Sequence, residues 1–277
     1  MQDVLTGNFA DFHLDFAPPR RIRVVDWNID RGLKLPGIIE FLASQKPDLI
    51  LLQEVDLNTR RTGRLDIAEE LARKLHLYYA FGCEFQELLE GSRRSPAYTG
   101  QATLCRWPLR NCRVIRFREQ STFWRPRWYL PKIHPFQERL GGRIALVTET
   151  RIAGHSIVAF NLHLESRGEH SLRAAQLKEV LLEAGRIPVG IPALIAGDLN
   201  FDPFNEDAKL LIQRAGFCDG VGMRGTPTTT RRGLFNPGKW IDTILVKGFV
   251  HAQDGRVHNR VRVSDHYPVS CTLTFPS

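Results

Sequence analysis

The stretch from Ile191 to Asp202, IPALIAGDLNFD, constrains most strongly what this chain can fold into. Its apolar run is short enough for a buried strand and stops abruptly at Gly197, which leaves Asp198 and Asn200 at the strand tip. A buried strand has no packing use for an acid and an amide at its end, whereas a site that binds a cation and a phosphate does. The alternative is an ordinary turn rich in Asp and Asn.

The composition is that of a soluble globular protein, with 43% hydrophobic and 25% charged residues in a chain of 277. This length suffices for one large α/β domain or two small ones. The formal net charge of +8 favours polyanionic partners, namely nucleic acid, phosphorylated small molecules or an acidic membrane surface. The charge narrows the class of partner without choosing among these three.

The five cysteines are odd in number and show no CxxC spacing, which argues against a zinc site and against a disulfide framework. We therefore expect a reducing, cytoplasmic location. The N-terminal residues lack the basic and apolar regions of a secretion signal. No window approaches the roughly 18 apolar residues of a membrane-spanning helix. We expect no spanning segment, while peripheral contact with a membrane stays open.

Apolar patterning predicts alternating strands and helices over most of the chain. Strands are predicted at 22–28, 49–52, 100–105, 143–148, 156–162, 191–197, 241–246 and 268–274, with helices at 36–45, 66–77, 171–185 and 207–215. Residues 1–20 are irregular and predict an N-terminal leader or an edge of the fold. Because no repeat or linker follows, residues 21–277 are predicted to form a single domain.

Polar residues mark one end of six predicted strands. Four strands end in such residues: Asn28, Glu54, His163, and Asp198 with Asn200. In the last two strands the polar residues come first, at Asp242 and at Asp265-His266. If these two strands run opposite to the first four, all six signatures meet at one edge of a mixed β layer, where α/β proteins usually carry their site. Hard oxygen ligands without cysteine suit Mg²⁺ or Mn²⁺ better than zinc.

Each of these residues also has a simpler interpretation. Glu54 could be a solvated residue after a strand, His163 a hydrogen-bonded core histidine, and Asp265-His266 a turn pair. The coincidence of six such signatures at strand ends favours a functional site over six separate accidents.

These residues resemble the ordered motifs of the endonuclease/exonuclease/phosphatase superfamily, the metal-dependent phosphoesterases that include deoxyribonuclease I. The resemblance spans residues 21 to 275 and rests on Trp27-Asn28, Gln53-Glu54-Val55, Asn161-Leu-His163-Leu, Gly197-Asp-Leu-Asn200, Ile241-Asp242 and Ser264-Asp-His266. It implies a four-layer α/β sandwich, in which two mixed β-sheets pack face to face with helices outside.

The resemblance also implies roles. Glu54 would be the main Mg²⁺ ligand, with Asp265 nearby and Asn28 helping to place the metal or phosphate. Asp198 would orient and deprotonate the attacking water, and Asn200 would hold a phosphate oxygen. His266, oriented by Asp242, and His163 would stabilise charge on the phosphoryl oxygens. Such a division suits the chemistry, because an anionic phosphodiester repels hydroxide until a metal and an imidazolium neutralise it.

Local features are most similar to the metal-dependent tyrosyl-DNA phosphodiesterases. The loop Trp27-Asn-Ile-Asp-Arg-Gly32 resembles their WNIDG loop, although Arg31 precedes the glycine here. The segment His163-Leu-Glu-Ser166, followed by Arg173, resembles their HLES segment and the helix after it. The likeness makes Arg31, Ser166 and Arg173 candidate substrate-binding residues.

The segment from Arg116 to Arg143 interleaves basic and aromatic residues, and its three prolines exclude a long helix. As a substrate-facing loop it would place arginines on phosphates and stack Trp124 or Trp128 on a base or dip them into a membrane. Alternatively, it is a surface flap whose tryptophans pack on the domain.

Three functions remain open from the sequence. The first is an Mg²⁺-dependent phosphodiesterase on nucleic acid, either a nuclease or a tyrosyl-DNA phosphodiesterase-like enzyme. The second is a phosphatase or phosphodiesterase on a lipid or inositol headgroup, as in sphingomyelinases. The third is a non-catalytic binding module, which the intact set Glu54, Asp198, Asn200 and His266 argues against.

Overall fold

Two β-sheets pack face to face between two pairs of helices in the computed structural model of the chain. The structure describes residues 4–10, 19–126, 129, 137–230 and 238–276. In chain order the strands are β1 (Val4–Asn8), β2 (Arg21–Arg31), β3 (Leu49–Leu57), β4 (Tyr78–Glu87), β5 (Ala97–Cys105), β6 (Leu109–Arg116), β7 (Arg139–Gly141), β8 (Ile144–Ile152), β9 (His155–His163), β10 (Ala193–Asp198), β11 (Cys218–Asp219), β12 (Asp242–Lys247), β13 (His251–Val257) and β14 (Val269–Thr274).

Within the described residues, the first sheet has eight strands and the second has six. The spatial order of the first is β1-β4-β5-β3-β2-β14-β13, with β7 also paired to β4. The second runs β11-β12-β10-β9-β8-β6. The helices are α1 (Leu35–Gln45), α2 (Ile67–Leu75), α3 (His170–Ala184) and α4 (Glu206–Arg214).

Alternate residues of the central strands enter different cores, which explains why those strands read as continuous apolar runs. In β3, Leu49 and Leu51 face the second sheet, whereas Ile50 and Leu52 pack beneath α1 and α2. In β10, Leu194 enters the core between the sheets, and other residues of the strand pack against α3 and α4. The chain is therefore the expected four-layer α/β sandwich.

Helix boundaries lie close to those predicted. Pro36 stands in the first turn of α1, and the Asp66 side chain caps α2 by accepting a hydrogen bond of 3.0 Å from the Glu69 N–H. No helix in the described residues is long and apolar enough to cross a membrane. All five cysteines are free thiols.

Strand direction gathers the polar signatures at one end of the sandwich. In the first sheet, β2 and β3 are parallel and β14 is antiparallel to β2. In the second, β9 and β10 are parallel and β12 is antiparallel to β10. The predicted reversal of the last two strands is confirmed. The expectation of one β layer is wrong, because each sheet supplies three of the six signatures.

Several strands were not predicted from the sequence. β4 lies between the predicted helix 66–77 and the predicted strand 100–105, where no element is predicted. Its buried Glu84 and Glu87 interrupt the apolar pattern. β6 is an edge strand with exposed arginines, so it lacks a clear apolar face. Val4–Asn8, within the predicted leader, pairs with β4 at the edge of the first sheet. The division into a leader and one domain stays a prediction.

Candidate active site

Three site residues of the second sheet lie side by side across neighbouring strands. Asp198, the last residue of β10, is the register partner of His163 on β9 and of Asp242 on β12. All three side chains are buried, with at most 2% of each residue exposed. Gly197 permits this close approach, because its φ is +144° and a Cβ there would lie 2.0 Å from the Leu162 carbonyl oxygen.

The first sheet turns its site residues outward through two β-bulges. The register between β2 and β3 shifts between Asn28 and Arg31, and that between β3 and β5 shifts between Leu52 and Val55. Asp30, Arg31 and Glu54 all have positive φ, between 45° and 66°. Bulges re-aim side chains, and strained non-glycine backbone is concentrated at functional sites. The Glu54 side chain is consequently 22% exposed within a mostly buried strand.

Asp198 is the central carboxylate of the site. Its Oδ1 accepts a hydrogen bond of 2.8 Å from the backbone N–H of Asn200, and its Oδ2 accepts one of 3.2 Å from the amide of Asn28. The Nε2 atoms of His163 and His266 lie 3.6 and 3.7 Å from the same Oδ2. Burial raises the pKa of Asp198 above its ordinary range, so this carboxylate can take up a proton near neutral pH.

His266 is held by Asp242, whose two carboxylate oxygens each lie 2.9 Å from its Nδ1. Asp242 in turn accepts a hydrogen bond of 2.5 Å from the Thr228 hydroxyl. Burial alone would lower the pKa of His266, but the charges of Asp242 and Asp198 outweigh it and raise the value to about 10. The ring is therefore an imidazolium whose Nε2 faces Asp198.

His163 differs from His266 in charge. Burial, reinforced by the positive charge of Arg143, holds the pKa of His163 well below its usual range, so the ring is neutral. Its Nδ1 lies 3.7 Å from Oε2 of Glu84, and neither atom has a hydrogen-bond partner among the described residues. Glu84 is buried, which raises its pKa to about 7, and Oε1 accepts a hydrogen bond of 2.8 Å from Arg143.

The carboxylates on the first-sheet side fit a hard divalent cation. Burial and then the negative charge of Asp265 raise the pKa of Asp30, and Glu54 adds to this effect. Mutually repelling carboxylates with an accessible Glu54 oxygen favour a bound cation. Glu54, Asp265 and Asn28 carry oxygen donors of the kind that Mg²⁺ or Mn²⁺ prefers, and their role as ligands stays a prediction.

A second group of candidate ligand atoms lies deeper. One atom each of Asp198, Asp242 and His266 falls within 4.8 Å of the others. Since His266 carries a proton that pairs with Asp242, a cation there would have to displace that proton. The Glu54 side therefore fits a metal better.

Arg31 is part of the metal-facing side. Its Nη1 lies 2.7 Å from Oδ1 of Asp30 and 3.4 Å from Oε2 of Glu54. Burial alone would raise the pKa of Glu54, but Arg31 and then Arg143 lower it. The guanidinium thus stands beside the carboxylate that would hold a cation.

Ser166 and Arg173, two further residues predicted to bind substrate, form hydrogen bonds within the domain. Ser166 accepts a hydrogen bond of 2.9 Å from Arg143, and Arg173 donates to the backbone oxygens of Glu165 and Gly168 at 3.1 and 3.2 Å. Asn200 lies at the site with a φ of +55°, and one of its amide hydrogens is donated to the Leu164 oxygen at 3.0 Å.

Trp124 requires a correction. It is 3% exposed, its ring packs on Phe85, and its Nε1–H donates to Glu165 at 2.9 Å. Trp124 therefore anchors its segment to the domain and does not stack on a substrate. Trp128 lies outside the described residues.

Four residues that contact the candidate site are not predicted from the sequence. Glu84 and Arg143 lie in or beside strands, where no end signature marks them, and Thr228 lies in a loop that is irregular in sequence. Asp30 belongs to the loop Trp27-Asn-Ile-Asp-Arg-Gly32, but the resemblance implies no role for it. An acid within the apolar run of β4 was the available signal for Glu84.

Two cavities open beside the catalytic group. One of about 210 Å³ is lined by Asp265, His266, Asn200, Thr229 and Lys239, among others. The other, of about 640 Å³, also includes Thr229 in its lining. The open space beside His266 is therefore larger than one phosphate.

Known proteins share this architecture. The sequence profile of the Endonuclease/Exonuclease/phosphatase family matches residues 27–266. An endonuclease/exonuclease/phosphatase from Beutenbergia cavernae aligns at a TM-score of 0.66 and 19% identity, covering 94% of this chain and 72% of that one. Truncated Caenorhabditis elegans TDP2 aligns at a TM-score of 0.64 and 20% sequence identity, covering 92% of this chain and 98% of that one. A functionally unknown conserved protein from Enterococcus faecalis aligns at a TM-score of 0.63 and 20% sequence identity, covering 92% of this chain and 100% of that one. No curated protein sequence matches the chain.

Proposed function

Because the chain belongs to the endonuclease/exonuclease/phosphatase family, we propose that it is a metal-dependent phosphodiesterase acting on nucleic acid. The observation that carries the proposal is the position of Asp198, within 3.7 Å of both a neutral His163 and a charged His266. A base beside an acid is what hydrolysis of a phosphodiester requires, because water must lose a proton while the phosphoryl oxygens gain charge.

In this reaction Asp198 orients the attacking water and accepts its proton. The Asn28 amide and the Asn200 N–H hold the carboxylate in place, so its free lone pairs point to the reacting centre. His266, fixed through Nδ1 by Asp242, presents its Nε2–H to a phosphoryl oxygen. His163 and the second amide hydrogen of Asn200 complete the binding of the phosphate.

A divalent cation held by Glu54 and Asp265, with Asn28 beside them, would supply positive charge against the phosphoryl oxygens when bound. We propose Mg²⁺, with Mn²⁺ as substitute. Arg31 contributes a second, permanent positive charge on the same side of the site.

Nucleic acid is preferred over a lipid or inositol headgroup for two reasons. The net charge of +8 favours a polyanion without choosing among these classes, but Lys239, Arg260 and Arg262 line the two cavities at the site, where a strand with several phosphates would meet them. The motif likeness to tyrosyl-DNA phosphodiesterases agrees with this preference. A reducing, cytoplasmic location stays part of the proposal.

The first experiment measures hydrolysis of bis-p-nitrophenyl phosphate with Mg²⁺, and with EDTA added. We expect Asp198→Ala and His266→Ala to lower kcat by about 10² to 10⁴, the usual worth of a general base or acid. Asp207→Asn and His251→Ala, two exposed residues, serve as matched controls. Normal turnover in both site variants would refute the site assignment.

The second experiment compares substrates under one condition: 5′-tyrosyl DNA, single- and double-stranded DNA, RNA, sphingomyelin and phosphoinositides. We expect turnover of a nucleic acid, with a rate that falls steeply as salt is added. Exclusive turnover of a lipid would replace the proposed substrate class. Mg²⁺-independent binding without turnover would indicate a binding module.

A further inference from the structure

The cavity of about 640 Å³ and the cavity of about 210 Å³ beside His266 have one lining residue in common. Thr229 lines both cavities and forms an isolated β-bridge with His266. The next residue, Thr230, donates its N–H to the Asp265 oxygen at 2.8 Å, and the Tyr267 N–H donates to the Thr228 oxygen at 2.6 Å. His266 thus lines one cavity and Tyr267 the other, which makes them adjacent compartments of one cleft.

The lining of the larger cavity is polar and cationic. Arg260 and Arg262 lie in the turn between β13 and β14, beside Asn259, Thr226 and Thr229. No acidic residue among the described residues lines it. Lys34 adds a third cation next to this turn, because its Nζ donates a hydrogen bond of 3.2 Å to the Arg262 backbone oxygen.

These two arginines differ from the arginines that form ion pairs inside the domain. Arg61, Arg139 and Arg143 are each paired with a buried carboxylate. Arg260 and Arg262 are exposed, and within the described ranges no carboxylate forms an ion pair with either. The Arg262 guanidinium lies over the Tyr267 ring, 5.5 Å from its centroid, which restricts its position while its N–H donors stay accessible. Two exposed arginines at this position can bind further phosphates of a substrate, in addition to the phosphate that is hydrolysed.

The size of the cavity narrows the ligand further. Pockets of roughly 300 to 1,000 Å³ hold drug-sized molecules, so this one can take a nucleotide unit in addition to the reacting phosphate. The sphingomyelin headgroup has one phosphate followed by a cationic choline, so beyond the reacting phosphate it offers the two arginines no anion. A polynucleotide carries a further phosphate on each successive residue and would use them.

We propose that this cavity is a subsite for a polynucleotide strand, in which Arg260 and Arg262 bind backbone phosphates that flank the scissile one. The inference rests on the proposed phosphodiesterase function and names the part of its substrate that this compartment recognises. Asn259 and the Thr226 hydroxyl would donate to the sugar-phosphate backbone, so recognition is of the strand and not of a base sequence. The protein accordingly prefers substrates that extend beyond the cleaved bond by at least one nucleotide.

The test compares the wild type with the double variant Arg260→Ala/Arg262→Ala. Its matched control, Arg110→Ala/Arg214→Ala, removes the same charge from exposed positions outside the cavity. Rates are measured on a single-stranded oligonucleotide and on bis-p-nitrophenyl phosphate, which is too short to reach the subsite. Thermal denaturation verifies that each variant is folded.

We expect the site variant to raise KM for the oligonucleotide by about 10- to 100-fold, because two charge-assisted contacts are lost. The control should stay within about threefold of the wild type. The effect on bis-p-nitrophenyl phosphate, which has no flanking phosphate, should be much smaller than the effect on the oligonucleotide. The slope of log KM against log salt should fall by about 1.4, since a single strand loses about 0.7 per phosphate contact. Arg260→Glu/Arg262→Glu should raise KM further.

Two failures are distinguishable. If the wild type cleaves oligonucleotides and the double variant has the same KM and salt slope, the subsite is wrong and the proposed function stands. If the wild type hydrolyses bis-p-nitrophenyl phosphate but no oligonucleotide, the proposed substrate class is wrong whatever the arginines do. Equal losses in the site variant and the control would show a general charge effect and overturn the subsite.

Discussion

The indole N–H of Trp27 donates a hydrogen bond of 2.9 Å to the backbone oxygen of His266. Trp27 is fully buried and meets Phe41 edge-on, with ring centroids 5.4 Å apart. Ser264 makes a parallel link, because its hydroxyl donates to the Asn28 oxygen at 2.7 Å and accepts from the His266 N–H at 3.2 Å. The motif tryptophan thus holds the backbone of His266, the proposed catalytic histidine, from the buried side.

We predict that Trp27→Phe lowers the free energy of unfolding by about 1 to 3 kcal/mol, because the buried His266 oxygen loses its donor. Turnover should fall with little change in KM, since the catalytic loop loses its support while the binding surface remains. Urea denaturation and steady-state kinetics measure both effects. Trp107→Phe, at a partly buried position, is the control, and equal effects of the two substitutions would contradict this role.

Gly197→Ala should be among the most damaging single-methyl additions in the chain. The new Cβ would lie 2.0 Å from the Leu162 oxygen, in a backbone conformation that L residues rarely adopt. We expect a loss of more than about 3 kcal/mol in the free energy of unfolding, or failure to fold. Gly154→Ala has a φ of +87° but open space around it, so it should cost only about 1 kcal/mol. Similar thermal denaturation of the two variants would show that β9 and β10 are less closely packed.

His258 should make folding sensitive to mild acid. Burial, followed by the charges of Arg256 and Arg23, lowers its pKa from 6.5 to about 4. Between these two values the unfolded chain takes up a proton that the folded protein does not. The stabilisation is therefore complete above pH 6.5 and is lost as the pH falls through 4.

The measurement is urea denaturation at several pH values between 7.5 and 4. His258→Gln can keep a hydrogen bond to Ser270, which accepts or donates at 2.8 Å in the wild type, but cannot titrate. We expect the wild type to lose stability more steeply than this variant as the pH is lowered. Parallel curves would show that other groups account for the whole acid sensitivity.

Arg31→Gln should strengthen metal binding while weakening substrate binding. The guanidinium lies 3.4 Å from Glu54 and repels a second cation there. We expect Mn²⁺ to bind the variant about three- to tenfold more tightly without substrate, by calorimetry or electron paramagnetic resonance. KM for an oligonucleotide should rise. Arg60→Gln, an exposed arginine, is the control, and weaker Mn²⁺ binding in Arg31→Gln would mean that Arg31 helps to build the metal site.

The sequence predicts the part of the fold that is organised by buried central strands. Runs such as Leu49–Leu52 and Ala193–Gly197 are buried on both faces and end in polar residues, so both their strands and their site ends could be identified. β4 and β6 could not, because buried acids interrupt one apolar pattern and exposed arginines the other.

The same reason limits prediction of the site. Residues at strand tips have a positional signature, and the structure brings Asn28, Asp198, Asp242 and His266 within hydrogen-bond or ion-pair distance of one another. Glu84 and Arg143 have none, because their importance lies in a contact between elements 59 residues apart in sequence. Aromatic character misled for Trp124, since a tryptophan that anchors a loop has the same sequence pattern as one that stacks on a base.

The hydrogen bonds Asn28 to Asp198 and His266 to Asp242 both cross from one sheet to the other. Buried Gln53 joins the sheets as well, donating to Asp26 and to Asn161 at 2.8 Å each. The carboxylates proposed to hold a metal lie on the side of one sheet, and Asp198, proposed to activate water, belongs to the other. Under that proposal the spacing between the sheets sets the distance between cation and nucleophile, so hydrostatic pressure or a cavity made in the inter-sheet core would change the reaction rate directly.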